Sequence, residues 1–304
     1  MNEWILETNG LSKQLGGRAV VNQLNLQVKQ GDIYGFLGPN GAGKTTTIRM
    51  LLGLAKPSVG SIRIFGKDLR KERLSILRKV GSLVEYPSYY GHLNAIDNLE
   101  TVRRLLDVPR SRISEVLEIV RLTKDAKRAV KGYSLGMKQR LGIATALLGQ
   151  PDLLILDEPT NGLDPAGIQE IRELIKSMPR EHGVTILISS HLLAEIEQMA
   201  TRVGIITKGQ MIFQDSIEAL RRQAKPTIRI SVSRPEEAWR MLLAKGLPVD
   251  WDQTRLTVGE VSDRTVASIV AALVQQDHDV YRVEEERVSL EDIFLEITGG
   301  EGSL

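Results

Sequence analysis

The sequence of 304 residues contains no cysteine. Disulfide bonds, thiolate catalysis and cysteine-ligated zinc are therefore excluded, and the composition fits a reducing compartment. Long apolar runs are also missing, because none approaches the roughly 20 residues that a membrane-spanning helix needs. The amino terminus, MNEWILETNG, has an early acidic residue and no basic segment, so it does not resemble a secretion signal. We expect a soluble, cytoplasmic protein whose membrane-embedded part, if it needs one, belongs to another chain.

An excess of one charge is missing as well. Forty lysines and arginines stand against 38 acidic residues, and no block rich in basic residues occurs. Electrostatics therefore gives no support to nucleic-acid binding. The hydrophobic fraction of 42% is sufficient for a buried core. On a prior of about 150 residues per domain, the length predicts two domains.

The chain changes character after the charged segment LRRQAKP. We predict a boundary there, with domains at residues 1–224 and 225–304. In the first domain, LLILDE and VTILISS are the continuous apolar strands of a buried parallel sheet, and apolar spacing predicts helical structure from about Ile96 to Leu122. The second domain alternates strand-like and helical segments and is predicted to be α+β. Its last helix should begin near Ser289, with Asp292 completing a capping box.

A glycine-rich turn, GPNGAGKTT, leads from the strand-like DIYGFL into a helical pattern. Its spacing is that of the phosphate-binding P-loop, in which backbone N–H groups and the positive end of the helix hold phosphate oxygens. Lys44 is expected to neutralise the β- and γ-phosphates, and the hydroxyl of Thr45 to ligate Mg²⁺. The predicted nucleotide-binding residues of the turn are Gly38, Pro39, Asn40, Gly41, Ala42, Gly43, Lys44, Thr45 and Thr46.

Two acidic residues end the apolar strand LLILDE. Asp157 is in the position of the residue that holds Mg²⁺ through water in P-loop enzymes. Glu158 follows immediately and could orient or deprotonate the attacking water. Together with the P-loop, this pair predicts a nucleoside triphosphatase.

The segment YSLGMKQR narrows that class, because it resembles the signature motif of the ATP-binding cassette (ABC) family. The matching residues are Ser134, Gly136, Gln139 and Arg140, and the departures are Tyr133, Leu135 and Met137, which replace leucine, glycine and glutamine. The resemblance implies ATP hydrolysis by two cassettes that dimerise head to tail. Each signature, with Ser134 and Gly136 here, would then cap the ATP on the P-loop of the other copy.

Other segments extend the resemblance. The loop Asn161–Asp164 is similar to the one through which two cassettes contact each other. The resemblance implies that His191, expected at the start of a helix, donates a hydrogen bond to the γ-phosphate. Leu15 stands where the family usually has an aromatic residue that stacks on adenine, so the selection of the base should be loose.

Glu85, in SLVEYPSYY, replaces the glutamine of the loop between the P-loop and the signature. In the family this side chain touches Mg²⁺ and the attacking water, while its loop meets the membrane partner. The resemblance therefore implies that Glu85 is both a metal ligand and a catalytic residue.

Glu85, GLDP, MKQR and the carboxyl-terminal SLEDIFLEIT together resemble the ATPase subunits of bacterial exporters for bacitracin and lantibiotic-type peptides. The implied fold is an α/β P-loop cassette (β-subdomain, RecA-like core and helical arm) with a small α+β domain. The implied partners are an integral-membrane permease, which would keep the protein on the inner face of the cell membrane, and a second copy of the chain. Two alternatives stay open. An importer ATPase would have a longer second domain, and a soluble ATPase of translation or DNA maintenance would have paired cassettes or coiled-coil insertions.

Overall fold

A computed structural model describes residues 4–84, 89–223, 226–247, 249–252, 254–259, 261–287 and 293–295. The described residues form two compact units that divide between Ile217 and Glu218. This division lies at the start of a helix, α8 (Ile217–Gln223), whereas the composition predicts the boundary just after it. Each unit has a buried apolar cluster of its own.

The first unit begins with an antiparallel sheet in the order β2-β1-β5-β6, in which β3 also pairs with β1. The strands are β1 (Trp4–Leu15), β2 (Arg18–Leu24), β3 (Gln27–Lys29), β5 (Val59–Ile64) and β6 (Lys67–Asp68). One apolar cluster joins this sheet to the larger one described next, since it contains Leu6 and Ile62 together with Ile155 and Leu187. This sheet corresponds to the predicted β-subdomain.

The larger sheet of the first unit has six strands in the order β11-β10-β4-β9-β8-β7. It is parallel from β10 to β7, and β11 pairs with β10 in the antiparallel sense. Every residue of β4, β8 and β9 is buried, as expected of strands covered on both faces. The strands are β4 (Ile33–Leu37), β7 (Val80–Leu83), β8 (Leu153–Asp157), β9 (Thr185–Ser190), β10 (Arg202–Thr207) and β11 (Gln210–Ser216).

The first unit contains the α-helices α1 (Lys44–Leu51), α2 (Arg73–Leu77), α3 (Ala95–Leu106), α4 (Ser111–Ile119), α5 (Leu135–Leu147), α6 (Pro165–His182) and α7 (Leu193–Glu197). The helical structure predicted from about Ile96 to Leu122 is present as two helices, α3 and α4, rather than as one. The chain leaves the helix at Asp107, which has a left-handed backbone (φ 52°), and Pro109 follows. A proline disfavours helical geometry in the residue before it, so the break is encoded locally.

The second unit has the order β-α-β-β-α-β, and its sheet is antiparallel in the order β13-β14-β12-β15. Its elements are β12 (Pro226–Val232), α9 (Pro235–Ala244), β13 (Val249–Trp251), β14 (Leu256–Val258), α10 (Asp263–Gln275) and β15 (Val280–Arg287). Ile230, Leu242, Leu256 and Leu273 are fully buried in its core. The predicted start of the last helix, at Ser289 and Asp292, lies outside the described residues; residues 293–295 are helical.

The parallel arrangement decides where chemistry can occur. Strands β4, β8 and β9 are neighbours that run in the same direction, so their carboxyl ends lie at one edge of the sheet. That edge carries the glycine-rich turn after Leu37, the acidic pair at Asp157 and the segment after Ser190. Among the described residues, none of the helices has the length and apolar character needed to cross a membrane.

Candidate active site

The glycine-rich turn connects β4 directly to α1. Gly43 is the residue before the first helical turn, and its backbone is left-handed (φ 106°). A Cβ at this position would lie 2.7 Å from the carbonyl oxygen of Val20, so only glycine fits. Gly43 has no side chain that could cap α1, and the first N–H groups of the helix therefore stay available to phosphate oxygens. This local geometry fits the triphosphate of ATP.

The Lys44 side chain is only 5% exposed and curls back over the turn. Its Nζ donates to the carbonyl oxygens of Gly38 at 2.7 Å and Pro39 at 3.3 Å, and it lies 3.4 Å from Oε1 of Glu158. Burial lowers the pKa of Lys44, and the negative charge of Glu158 opposes that shift. The ammonium group is thus desolvated and shared between the turn and a carboxylate.

The acidic pair is held by a residue on the neighbouring strand. Asp157, the last residue of β8, is opposite Ser189 of β9 in the parallel register. The hydroxyl of Ser189 donates to Oδ1 of Asp157 at 2.5 Å and accepts from the backbone N–H of Glu158 at 2.9 Å. Glu158 itself has a left-handed backbone (φ 47°), which is uncommon for a residue with a side chain.

The Glu158 carboxylate lies between two groups predicted to contact phosphate. Its Oε1 faces Nζ of Lys44, and its Oε2 is 3.3 Å from Nδ1 of His191. The angle at that histidine nitrogen is not that of a hydrogen bond. His191 was expected at the start of a helix, but it lies two residues before α7. The structure therefore brings Lys44, Asp157, Glu158 and His191 to the same edge of the sheet.

A second carboxylate, Glu195 on α7, joins the loops around this edge. Its Oε2 accepts from the hydroxyl of Thr160 at 2.6 Å and from that of Ser190 at 3.3 Å. Ser190 Oγ also accepts from the backbone N–H of Leu192 at 3.0 Å. The sequence analysis missed Ser189, Thr160 and Glu195. Their signal is weak, because isolated hydroxyls and a helical glutamate are ordinary features of a surface.

The signature segment begins α5. Ser134 is the residue before the helix, and its Oγ accepts from the backbone N–H of Met137 at 3.2 Å. A hydroxyl that accepts one bond keeps its own hydrogen to donate. The Asn161–Asp164 loop is adjacent, because a Cβ on Gly162 would lie 3.3 Å from Cδ2 of Leu135. The two segments that the resemblance assigns to the contact between cassettes are therefore neighbours within one chain.

Of the two remaining predicted residues, the structure describes Leu15 but not Glu85. Leu15, at the end of β1, is 53% exposed, so its side chain is accessible to a base. Glu85 lies outside the described residues, and its assignment stays a prediction.

Comparisons with known proteins agree with this geometry. Residues 21–161 match the family model described as "ABC transporter". The chain is 44% identical to the bacitracin transport ATP-binding protein BcrA of Bacillus licheniformis over 97% of this chain and 98% of that protein. It is 47% identical to the lantibiotic transport ATP-binding protein SrtF of Streptococcus pyogenes over 69% of this chain and 90% of that protein.

A solved structure of cbiO1 from Clostridium perfringens, part of the ABC transporter complex cbiONQ, has a TM-score of 0.68. It is 26% identical and the match covers 80% of this chain and 96% of that one. The chain belongs to the ABC transporter family. It is an ATP-hydrolysing cassette subunit, and the predicted fold class is confirmed.

Proposed function

We propose that this chain hydrolyses ATP to export a peptide antibiotic through a separate integral-membrane permease. The observation that carries the proposal is the extent of its similarity to the bacitracin transport protein, which covers 98% of that protein and therefore includes the second unit as well as the cassette. The permease would hold this chain at the inner face of the cell membrane. The loop of Glu85 is our candidate for the contact with the permease.

In the proposed hydrolysis, Glu158 acts as the general base on the attacking water. Its carboxylate lies between Nζ of Lys44, at 3.4 Å, and Nδ1 of His191, at 3.3 Å, and a positioned base contributes about 10²- to 10⁴-fold to a rate. Lys44 and the backbone N–H groups of residues 38–46 other than Pro39, which has none, bind the phosphates. His191 donates a hydrogen bond to the γ-phosphate.

Mg²⁺ fits the donor set at this edge. This ion is usually bound by one or two carboxylates together with substrate phosphates and water, so a large protein cage is unnecessary. The bond from Ser189 occupies one oxygen of Asp157, and a carboxylate has about four lone-pair sites. We propose that Asp157 and the hydroxyl of Thr45 hold the ion, with Glu85 as a further ligand. Mg²⁺ would supply charge neutralisation to the phosphates.

A second copy of the chain completes the proposed site. Ser134 and Gly136 lie at the start of α5, an element separate from the P-loop, and offer a hydroxyl and backbone N–H groups. We propose that they cap the ATP of the partner copy. The loop Asn161–Asp164, which is next to the signature, would form the centre of the contact.

The test combines purification with a susceptibility assay. Tagged protein is purified from detergent-solubilised membranes, and a polytopic membrane protein should co-purify. Cells that carry the transporter should survive higher bacitracin or lantibiotic concentrations than cells with the Glu158→Gln variant. That variant should still bind ATP, while its hydrolysis rate falls at least 100-fold. Normal hydrolysis by the variant would reject Glu158 as the base, and a protein without a membrane partner would reject the role in transport.

A further inference from the structure

We propose that Ser189 is a positioning residue for ATP hydrolysis, holding the metal-binding carboxylate and the general base in one geometry. This inference rests on the proposed roles of Asp157 and Glu158. Ser189 touches neither substrate nor water in the proposal; it acts through those two residues.

The Ser189 hydroxyl acts at the site both as a hydrogen-bond donor and as an acceptor. It donates to Oδ1 of Asp157 at 2.5 Å, which fixes one carboxylate oxygen and thereby orients the other. It accepts from the backbone N–H of Glu158 at 2.9 Å, which fixes the peptide plane between the two acidic residues. Among side chains of this size, only a hydroxyl is both a strong donor and a strong acceptor.

The backbone of Glu158 explains why such a bond is needed. A left-handed conformation of a residue with a side chain persists only where its surroundings hold it. From this conformation the Glu158 carboxylate reaches Lys44 and His191. If the peptide plane relaxed, the carboxylate would lose the position from which it is proposed to act.

The described residues beside Ser189 in the sheet are mainly apolar. The side chain is fully buried, and the residues before it on β9 are the apolar Ile186, Leu187 and Ile188. The register places Ser189 opposite Asp157 on one side and Phe36 on the other. A buried hydroxyl among apolar neighbours is expected where a specific polar partner requires it.

The experiment uses a matched pair, Ser189→Thr and Ser189→Val. The two side chains have the same shape, but only threonine keeps the hydroxyl. Thr185→Val is the control on the same strand. It also removes a fully buried hydroxyl that accepts a backbone N–H, from Gly31 at 2.9 Å, at the opposite end of β9.

Each full-length variant is measured in three ways: steady-state ATP hydrolysis, binding of a fluorescent ATP analogue as Mg²⁺ is titrated, and unfolding by urea. The binding titration is also done in the Glu158→Gln background, where turnover does not interfere. Ser189→Val should lower kcat by roughly 10- to 100-fold and raise the Mg²⁺ concentration for half-maximal binding by a similar factor. Ser189→Thr should stay within about threefold of wild type in both.

Thr185→Val should lose stability while its Mg²⁺ titration stays that of wild type. Ser189→Ala, which adds no bulk, makes the same comparison if the larger side chains prevent folding, and should behave like the valine variant. Equal Mg²⁺ titrations and equal kcat for the valine, alanine and threonine variants would overturn the inference. If Glu158→Gln alone hydrolyses ATP normally, the proposed roles fail; if it is inactive while Ser189→Val and Ser189→Ala are normal, only this inference fails.

Discussion

Replacing Glu158 with glutamine should tighten ATP binding in addition to slowing hydrolysis. Glu158 and the phosphates compete for the same ammonium group, since Nζ of Lys44 lies 3.4 Å from Oε1 of Glu158. At that distance and an effective dielectric constant of about 20, the gross attraction is ~5 kcal/mol. Glutamine keeps the shape of the side chain but removes this charge.

The net effect is smaller than the gross attraction. The Glu158 side chain is 23% exposed and regains hydration when it loses Lys44, and Lys44 keeps its bonds to the carbonyl oxygens of Gly38 and Pro39. A hydrogen bond to a charged group contributes about 1.5–3 kcal/mol. Taking the lower end, we expect Glu158→Gln to lower the Kd for ATP about tenfold.

Titration with a fluorescent ATP analogue, in EDTA and in excess Mg²⁺, measures this change. The control is Glu195→Gln, which makes the same chemical change at a carboxylate bonded to Thr160 and Ser190. Urea unfolding of the nucleotide-free variant should also show a loss of stability, because a buried ammonium has lost its counter-charge. An unchanged or higher Kd for Glu158→Gln in both solutions would refute the competition for Lys44.

Three further predictions concern other parts of the chain. Because Leu15 cannot stack on a base, wild-type protein should bind ATP and GTP within about 1.5 kcal/mol, and Leu15→Tyr should tighten both. Parallel titrations decide this, and a strong ATP preference of the wild type would contradict it. Burial raises the pKa of Asp32, so its stabilising contribution is present below the ordinary value of 3.8 and is lost as the pH rises through the folded-state pKa. The unfolding free energy of wild type, relative to that of Asp32→Asn, should therefore fall as the pH rises above 3.8, and parallel pH curves would contradict this. Gly209 has a left-handed backbone (φ 79°), and Gly209→Ala would place a Cβ 2.5 Å from the carbonyl oxygen of Val20. The unfolding free energy should therefore fall by about 1–3 kcal/mol, and ATP binding should weaken. Gly183→Ala, with φ 67° but open space, should leave ATP binding unchanged in the same titration.

The site residues that could be predicted from the sequence belong to motifs whose members are close together along the chain. The P-loop and the acidic pair can be read because each lies within one strand end and its following turn, and the parallel sheet then brings the strand ends together. Ser189 could not be read in this way. Its partner Asp157 is on a different strand, and their contact depends on a register that only the folded sheet defines.

The hairpin of β10 and β11 was missed for a related reason. Its turn contains Lys208 and Gly209. The contact of this turn with the P-loop exists only in the folded chain. The N–H of Gly209 donates to the carbonyl oxygen of Ala42 at 3.0 Å, and its carbonyl accepts from Asn22 at 2.8 Å. The turn therefore supports the P-loop from a segment more than 150 residues further along the chain. Pro109, in contrast, was a readable signal for the end of α3.

The bridge through Glu195 has a thermodynamic consequence. One carboxylate oxygen accepts from Thr160, in the loop that follows Glu158, and from Ser190, beside His191. The loop after Glu158 and the end of β9 are tied to one acceptor, so their equilibria are linked, and such linkage is reciprocal. If an event at residues 159–164 stabilises one position of His191 by some free energy, that position of His191 stabilises the event by the same free energy. A ligand at His191 must favour the matching position of that loop by the same amount.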